Sequence, residues 1–192
     1  MIKTNYFFIV MVLLGLASCT GNDSFPKPKA YLRIDLPANK YKDFDTLFPY
    51  SFEYSVLSGI HTDLSPGAEP YWINIYYPRF GAVIHLSYKK VKNNISSYFE
   101  DSREFAMKHI PKADAINEKT VYNKEEKIYG LIYDIKGSGV ASPYQFCLTD
   151  SSKNFLRGSL YFNMLPNNDS LAPIIDYIQK DIDHMITTFR WK

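Results

Sequence analysis

Short runs of alternating apolar and polar residues dominate the chain from Tyr31 onward, and they predict strands. The runs are Tyr31–Leu36, Tyr50–Val56, Tyr71–Tyr77, Val83–Tyr88, Ala115–Tyr122, Ile128–Ile135, Tyr144–Thr149 and Phe155–Phe162. In the third, Tyr71, Ile73, Ile75 and Tyr77 share one face, and Trp72, Asn74 and Tyr76 share the other. Pro78 to Gly81 has turn chemistry, so the third and fourth runs are expected to form a hairpin.

Two segments change to the helical period. From Asn93 or Asn94 as cap to about Ile110, the residues Ile95, Phe99, Ser102, Ala106 and Ile110 fall near one stripe, and Pro111 ends it. The second begins at "NDSLAP", with Asp169 or Ser170 as cap and Pro173 in the first turn. Leu171, Ile174, Ile175, Ile178, Ile182, Met185, Ile186 and Phe189 then form a stripe that has to face a core. The order is four strands, helix, four strands, helix. It predicts an α+β domain in which the two helices cover one face of a largely antiparallel sheet.

The first 30 residues follow a different logic. Lys3 is followed by an apolar run from Tyr6 to Leu16, shorter than the roughly 20 residues of a spanning helix. It has the length and flanks of a secretory signal peptide. The run ends in Leu16-Ala17-Ser18-Cys19, which resembles the bacterial lipobox. There the peptide is cut before the cysteine and the thiol is acylated. Each buried acyl CH₂ contributes about 0.8 kcal/mol, and more than one chain is needed for stable anchoring. Residues 1–18 are thus expected to be a signal peptide, Cys19 the lipid attachment site, and 19–30 an extended tether containing "PKPK" (Pro26 to Lys29). Residues 31–192 are expected to form one globular domain, held at a membrane through the N-terminal lipid without spanning it.

Composition narrows the remaining choices. The chain has 192 residues, 46% hydrophobic and 22% charged, with 16 Tyr, 13 Phe and 2 Trp, which suits a sheet-rich fold. A net charge of +2 gives no nucleic-acid footprint. If Cys19 is acylated, Cys147 has no partner in the chain, and a small buried residue in a strand is its expected role. His61, His85, His109 and His184 form no ligand-spaced pair, and no HExxH, CxxC or GxSxG occurs. Asp181 and His184 are three apart on the second helix and read as a surface ion pair. No metal, cofactor or catalytic constellation is expected. The best binding candidate is "EPYWINIYYPRF" (Glu69 to Phe80): Trp72, Asn74 and Tyr76 form a platform if they face outward, and core if a helix covers them.

Long ordered segments carry a family resemblance. "PKPKAYLRIDLP", "EPYWINIYYPRFGAVIHLSYKKV", "YFEDSREFAMKHIPKADAI", "YGLIYDIKGSGVASPYQFCLTDS" and "FLRGSLYFNMLPNNDSLAPIIDYIQKDIDHMI" resemble the gliding-motility lipoprotein GldD family, from Pro26 to Ile186. The resemblance implies an envelope lipoprotein needed for gliding and for the associated type IX secretion machinery. It implies no enzymatic activity and no cofactor. It transfers one residue role, lipid attachment at Cys19. The expected role is assembly or stabilisation of that machinery through protein partners. The expected place is the outer membrane, with the domain facing the periplasm. An envelope glycan-binding module is the alternative, and an enzyme comes third.

Overall fold

The computed structural model describes residues 35–192; Cys19, the signal peptide and the tether lie outside them. In chain order the elements are β1 (Tyr41–Phe44), β2 (Tyr50–Ser55), β3 (Gly59–Thr62), β4 (Ile73–Tyr77) and β5 (Ala82–Lys90), then helix α1 (Ile95–Met107). They continue with β6 (Ala115–Asn123), β7 (Ile128–Lys136), β8 (Tyr144–Thr149), β9 (Asn154–Phe162), helix α2 (Asn168–Thr188) and β10 (Arg190–Trp191). Seven strands form one sheet in the order β3-β4-β5-β9-β8-β7-β6, and β1-β2-β10 form a second. Every neighbouring pair is antiparallel. The domain is therefore α+β with largely antiparallel sheet. No helix among the described residues is long and apolar enough to cross a membrane.

The last four predicted strands match β6 to β9 to within a residue at each end. Differences concentrate in the first half. Tyr31 to Ile34 lie outside the described residues, and Asp35 and Leu36 belong to no strand. The run predicted from Tyr71 starts as a strand only at Ile73, because Tyr71 sits in the left-handed region at φ 70°. That backbone cannot continue a ladder. Strands β1, β3 and β10 were not foreseen. The first carries Lys42 and Asp43, the second opens on Gly59, and the third is two residues long, so none shows an alternation.

The two helices lie on opposite faces of the large sheet, not on one. Successive strand residues point to opposite sides. On β8, Phe146 and Leu148 join the α2 residues Ile174, Ile178 and Ile182 in the main core. Cys147, between them, packs instead with Phe155, Ile95, Tyr98 and Phe99 on the α1 side. Central strands here are apolar on both faces: all of Tyr144–Thr149 is buried. Simple alternation in the sequence concealed this second apolar side.

The α2 face is the larger core. Ile84, Leu86, Leu156 and Leu160 meet the α2 stripe, while Tyr50, Phe52 and Phe189 extend the same cluster to the small sheet. In register opposite Phe146 stands Gly158. A Cβ there would lie 2.1 Å from the Phe146 ring, so the aromatic ring occupies the space a side chain would need.

Neither helix uses the predicted side-chain cap. Asn94 is the N-cap of α1, yet its Oδ1 accepts from Lys92 N–H (2.8 Å) rather than from the first turn. Helix α2 starts after Asn167, so Asp169 and Ser170 are already helical and Pro173 falls beyond the first turn. Helix α1 stops at Met107, and a 3₁₀ turn at Ile110–Lys112 follows.

Candidate functional site

Strand register on the α1 side brings together residues that are scattered in sequence. His61 pairs with Asn74, Asn74 with His85, and His85 with Ser159. Ser159 then pairs with Gln145, Gln145 with Tyr133, and Tyr133 with Glu118. One row of polar or amphipathic side chains thus crosses all strands of the large sheet. Helix α1 covers the part of this face over β7 to β9, where Ala106 meets Tyr133 and Ile135. The part over β3 to β5 is left as an open cleft of about 920 Å³, lined among others by His61, Asp63, Asn74, Tyr76, His85 and Asn163.

Within the cleft the polar groups are tied to one another. His85 Nδ1 lies 2.5 Å from Asn74 Oδ1, so a ring protonated on Nδ1 donates there and leaves Nε2 as an acceptor. The His85 ring meets Tyr161 edge-on at 5.6 Å. Burial pushes the His85 pKa down; Asp63 pulls it up and Arg157 pushes it down again. At the rim, Asp63 Oδ1 accepts from both the N–H and the hydroxyl of Ser65, at 2.9 and 2.7 Å. Those bonds hold the Asp63 carboxyl below its ordinary value. His85 is therefore neutral at pH 7. The unfolded chain takes up a proton near the ordinary value of 6.5 while the folded one does not. Its contribution to stability is complete above that pH and falls as the pH drops through it. An NMR titration should put the His85 midpoint below 6.5; a midpoint above it would contradict this account.

The predicted platform divides between two environments. Asn74 is only 7% exposed and engaged with His85, whereas Tyr76 is 36% exposed and meets His61 edge-on at 5.5 Å. Both line the cleft. Trp72 does not: its Nε1 donates to the Tyr88 carbonyl (2.7 Å), and the Lys89 ammonium lies 5.2 Å from its ring centroid. The surface ion pair expected between Asp181 and His184 does not form. Asp181 is 2% exposed and accepts from Asn39 Nδ2 (2.6 Å) and the Tyr77 hydroxyl (3.1 Å). His184 instead lies 2.7 Å from Glu53 Oε2 and stacks on Tyr41 at 3.6 Å. Sequence spacing placed the two on one helix, but the partners come from residues near the start of the domain.

Cys147 lies in β8 with no exposed surface, and burial pushes its thiol up to about 11, so it is protonated and inert at neutral pH. Among the described residues, no three His, Cys, Asp or Glu side chains are grouped to hold a metal ion. Two members of the cleft, His61 and Asn163, were invisible to motif reading. Their only signal is register, which brings His61 beside Asn74.

The family model described as gliding motility lipoprotein GldD matches residues 21–191. No curated protein matches. Among solved structures, the chain is similar to the solution structure of cyanobacterial PsbP (CyanoP) from Synechocystis sp. PCC 6803, with a TM-score of 0.50 and 12% identity. That likeness covers 84% of this chain and 98% of the other, and it is a likeness of fold.

Proposed function

The chain belongs to the gliding motility lipoprotein GldD family, and from that premise we propose that it assembles or stabilises the motility and type IX secretion machinery through protein–protein contacts. In this reading it is an envelope component without catalytic activity of its own. Acyl chains on Cys19, palmitate among them, hold it to the outer membrane, and the domain faces the periplasm. The observation that carries the reading is the family match over nearly the whole chain. The arrangement of the cleft supports a binding role over chemistry, since His85 and Asn74 are committed to each other and the one described thiol is buried.

A glycan-binding module is the second reading, favoured by the half-open Tyr76 ring beside the hydrogen-bonding groups of His61, Asp63 and Asn163. Aromatic rings flanked by such groups suit a sugar ring. Crosslinking in intact cells separates the two. Recovery of gliding and secretion proteins supports the first; retention on purified peptidoglycan or polysaccharide, without such partners, overturns it for the second.

The anchor has its own test. Cys19→Ala should block acylation and processing of the signal peptide and abolish gliding and secretion, because the cysteine is both the residue acylated and the residue before which the peptide is cut. Mass spectrometry of the mature wild-type N-terminus should find an acylated Cys19. An unmodified Cys19, or a mature chain starting elsewhere, would remove the lipid anchor from the proposal.

A further inference from the structure

Arg157 stands in the middle of β9, on the α1 side. One guanidinium N–H donates to Gln145 Oε1 at 2.7 Å, and the guanidinium carbon lies 4.5 Å from the Phe105 ring centroid. The ion pairs among the described residues all involve other bases, so no carboxylate neutralises Arg157 there. Burial pushes its pKa below the ordinary value, yet a guanidinium remains charged. Arg157 is half-buried, and a neutral amide oxygen, the Tyr161 side chain and a ring face offset only part of the cost of drawing that charge out of water. Gln145 is itself 2% exposed, and its Nε2 finds no partner among the described residues. The polar pair is thus held in the sheet at a cost to stability.

Beside it opens a pocket of about 360 Å³, separate from the His85 cleft and walled by Trp72, Tyr98, Phe105 and Phe155. Lys89 also lines it, but that ammonium is already paired with Glu69. Asp101, on α1, also lines the pocket; it weakens the binding of any anion there and disfavours a dianion most. An arginine without a counter-ion, aromatic walls and one repelling carboxylate describe a single ligand chemistry. We propose that this pocket binds a carboxylate carried on an apolar body, with Arg157 taking the carboxylate and the four rings taking the apolar part. The forked guanidinium matches a carboxylate's two oxygens, and the volume is that of a small ligand site. The chemistry does not depend on which complex the protein joins. It fits either the free end of a peptide chain with an apolar last residue or a small free organic acid.

The test is calorimetric titration of the full mature chain in lipid nanodiscs, with empty nanodiscs as blank. The probes are acetyl-Ala-Ala-Leu as free acid, the same peptide as C-terminal amide, 4-methylvalerate and inorganic phosphate. The free acid should bind at least about tenfold more tightly than the amide, the factor that a charge-assisted hydrogen bond supplies. Arg157→Met should erase that difference, Arg157→Lys should keep part of it, and Asp101→Asn should strengthen acid binding. Comparable binding of 4-methylvalerate would assign the site to free acids; preference for the tripeptide would assign it to chain ends. If Arg157→Met fails to fold, the Lys and Asn variants carry the comparison. The proposal is overturned if neither acid binds, if phosphate binds as tightly as the acids, or if the acid–amide difference persists without Arg157.

Discussion

Ile178→Asp yields no folded domain. Ile178 has no exposed surface and sits at the centre of the α2 stripe, within the cluster that joins both sheets. Loss of the buried side chain alone costs about 2–5 kcal/mol. The aspartate adds an unpaired carboxylate with no water and no cation to meet it, worth several kcal/mol more. A domain of this size has a total stability of roughly 5–15 kcal/mol, so the two effects together exhaust most or all of it. Circular dichroism and soluble yield are the measurements, with Ile178→Val, expected to cost about 1 kcal/mol, as the packing control. A soluble Ile178→Asp protein with an unchanged melting temperature would show that α2 does not close the core.

Gly158→Ala is the second large effect, and it comes from adding one carbon. The new Cβ would fall 2.1 Å from the Phe146 ring, which is itself 1% exposed and packed from all sides. Either the ring leaves its place or the β8–β9 ladder shifts. Overpacking of this kind costs about 3 kcal/mol, hence roughly a 6–12 °C fall in Tm. Trimming the obstacle should repair part of the damage. Gly158→Ala combined with Phe146→Leu should melt above the sum of the two single losses, because the residues share one space. Strict additivity in that double-variant cycle would mean that ring and glycine are not in contact.

Much of this architecture was legible because single elements announce themselves. The alternation in Ile128–Lys136 and the stripe from Leu171 to Ile186 each need only their own residues to be recognised. What was not legible depended on pairing. Placing the helices on opposite faces required knowing that β8 lies between β7 and β9, which makes its odd residues, Cys147 among them, as buried as its even ones. The site was hidden for the same reason. Asn74 was named from its own strand, but its neighbours His61 and His85 reach it only through register. Arg157 did leave a trace, as the one charged residue of a largely apolar strand. Its missing counter-ion is a statement about surroundings, which spacing along one strand does not contain.

The pairing of β10 with β2 has a kinetic consequence. Arg190 lies opposite Ser51 and Trp191 opposite Tyr50, so almost the whole domain separates the two strands in sequence. Contacts so distant along the chain form late and slowly, because the intervening loop has to be closed before they give anything back. Until Arg190 and Trp191 dock, one edge of β2 is an unpaired template for other strands. Deleting residues 190–192 should therefore slow refolding and increase aggregation more than it changes the secondary structure of the large sheet. The small sheet would act as the clasp fastened last.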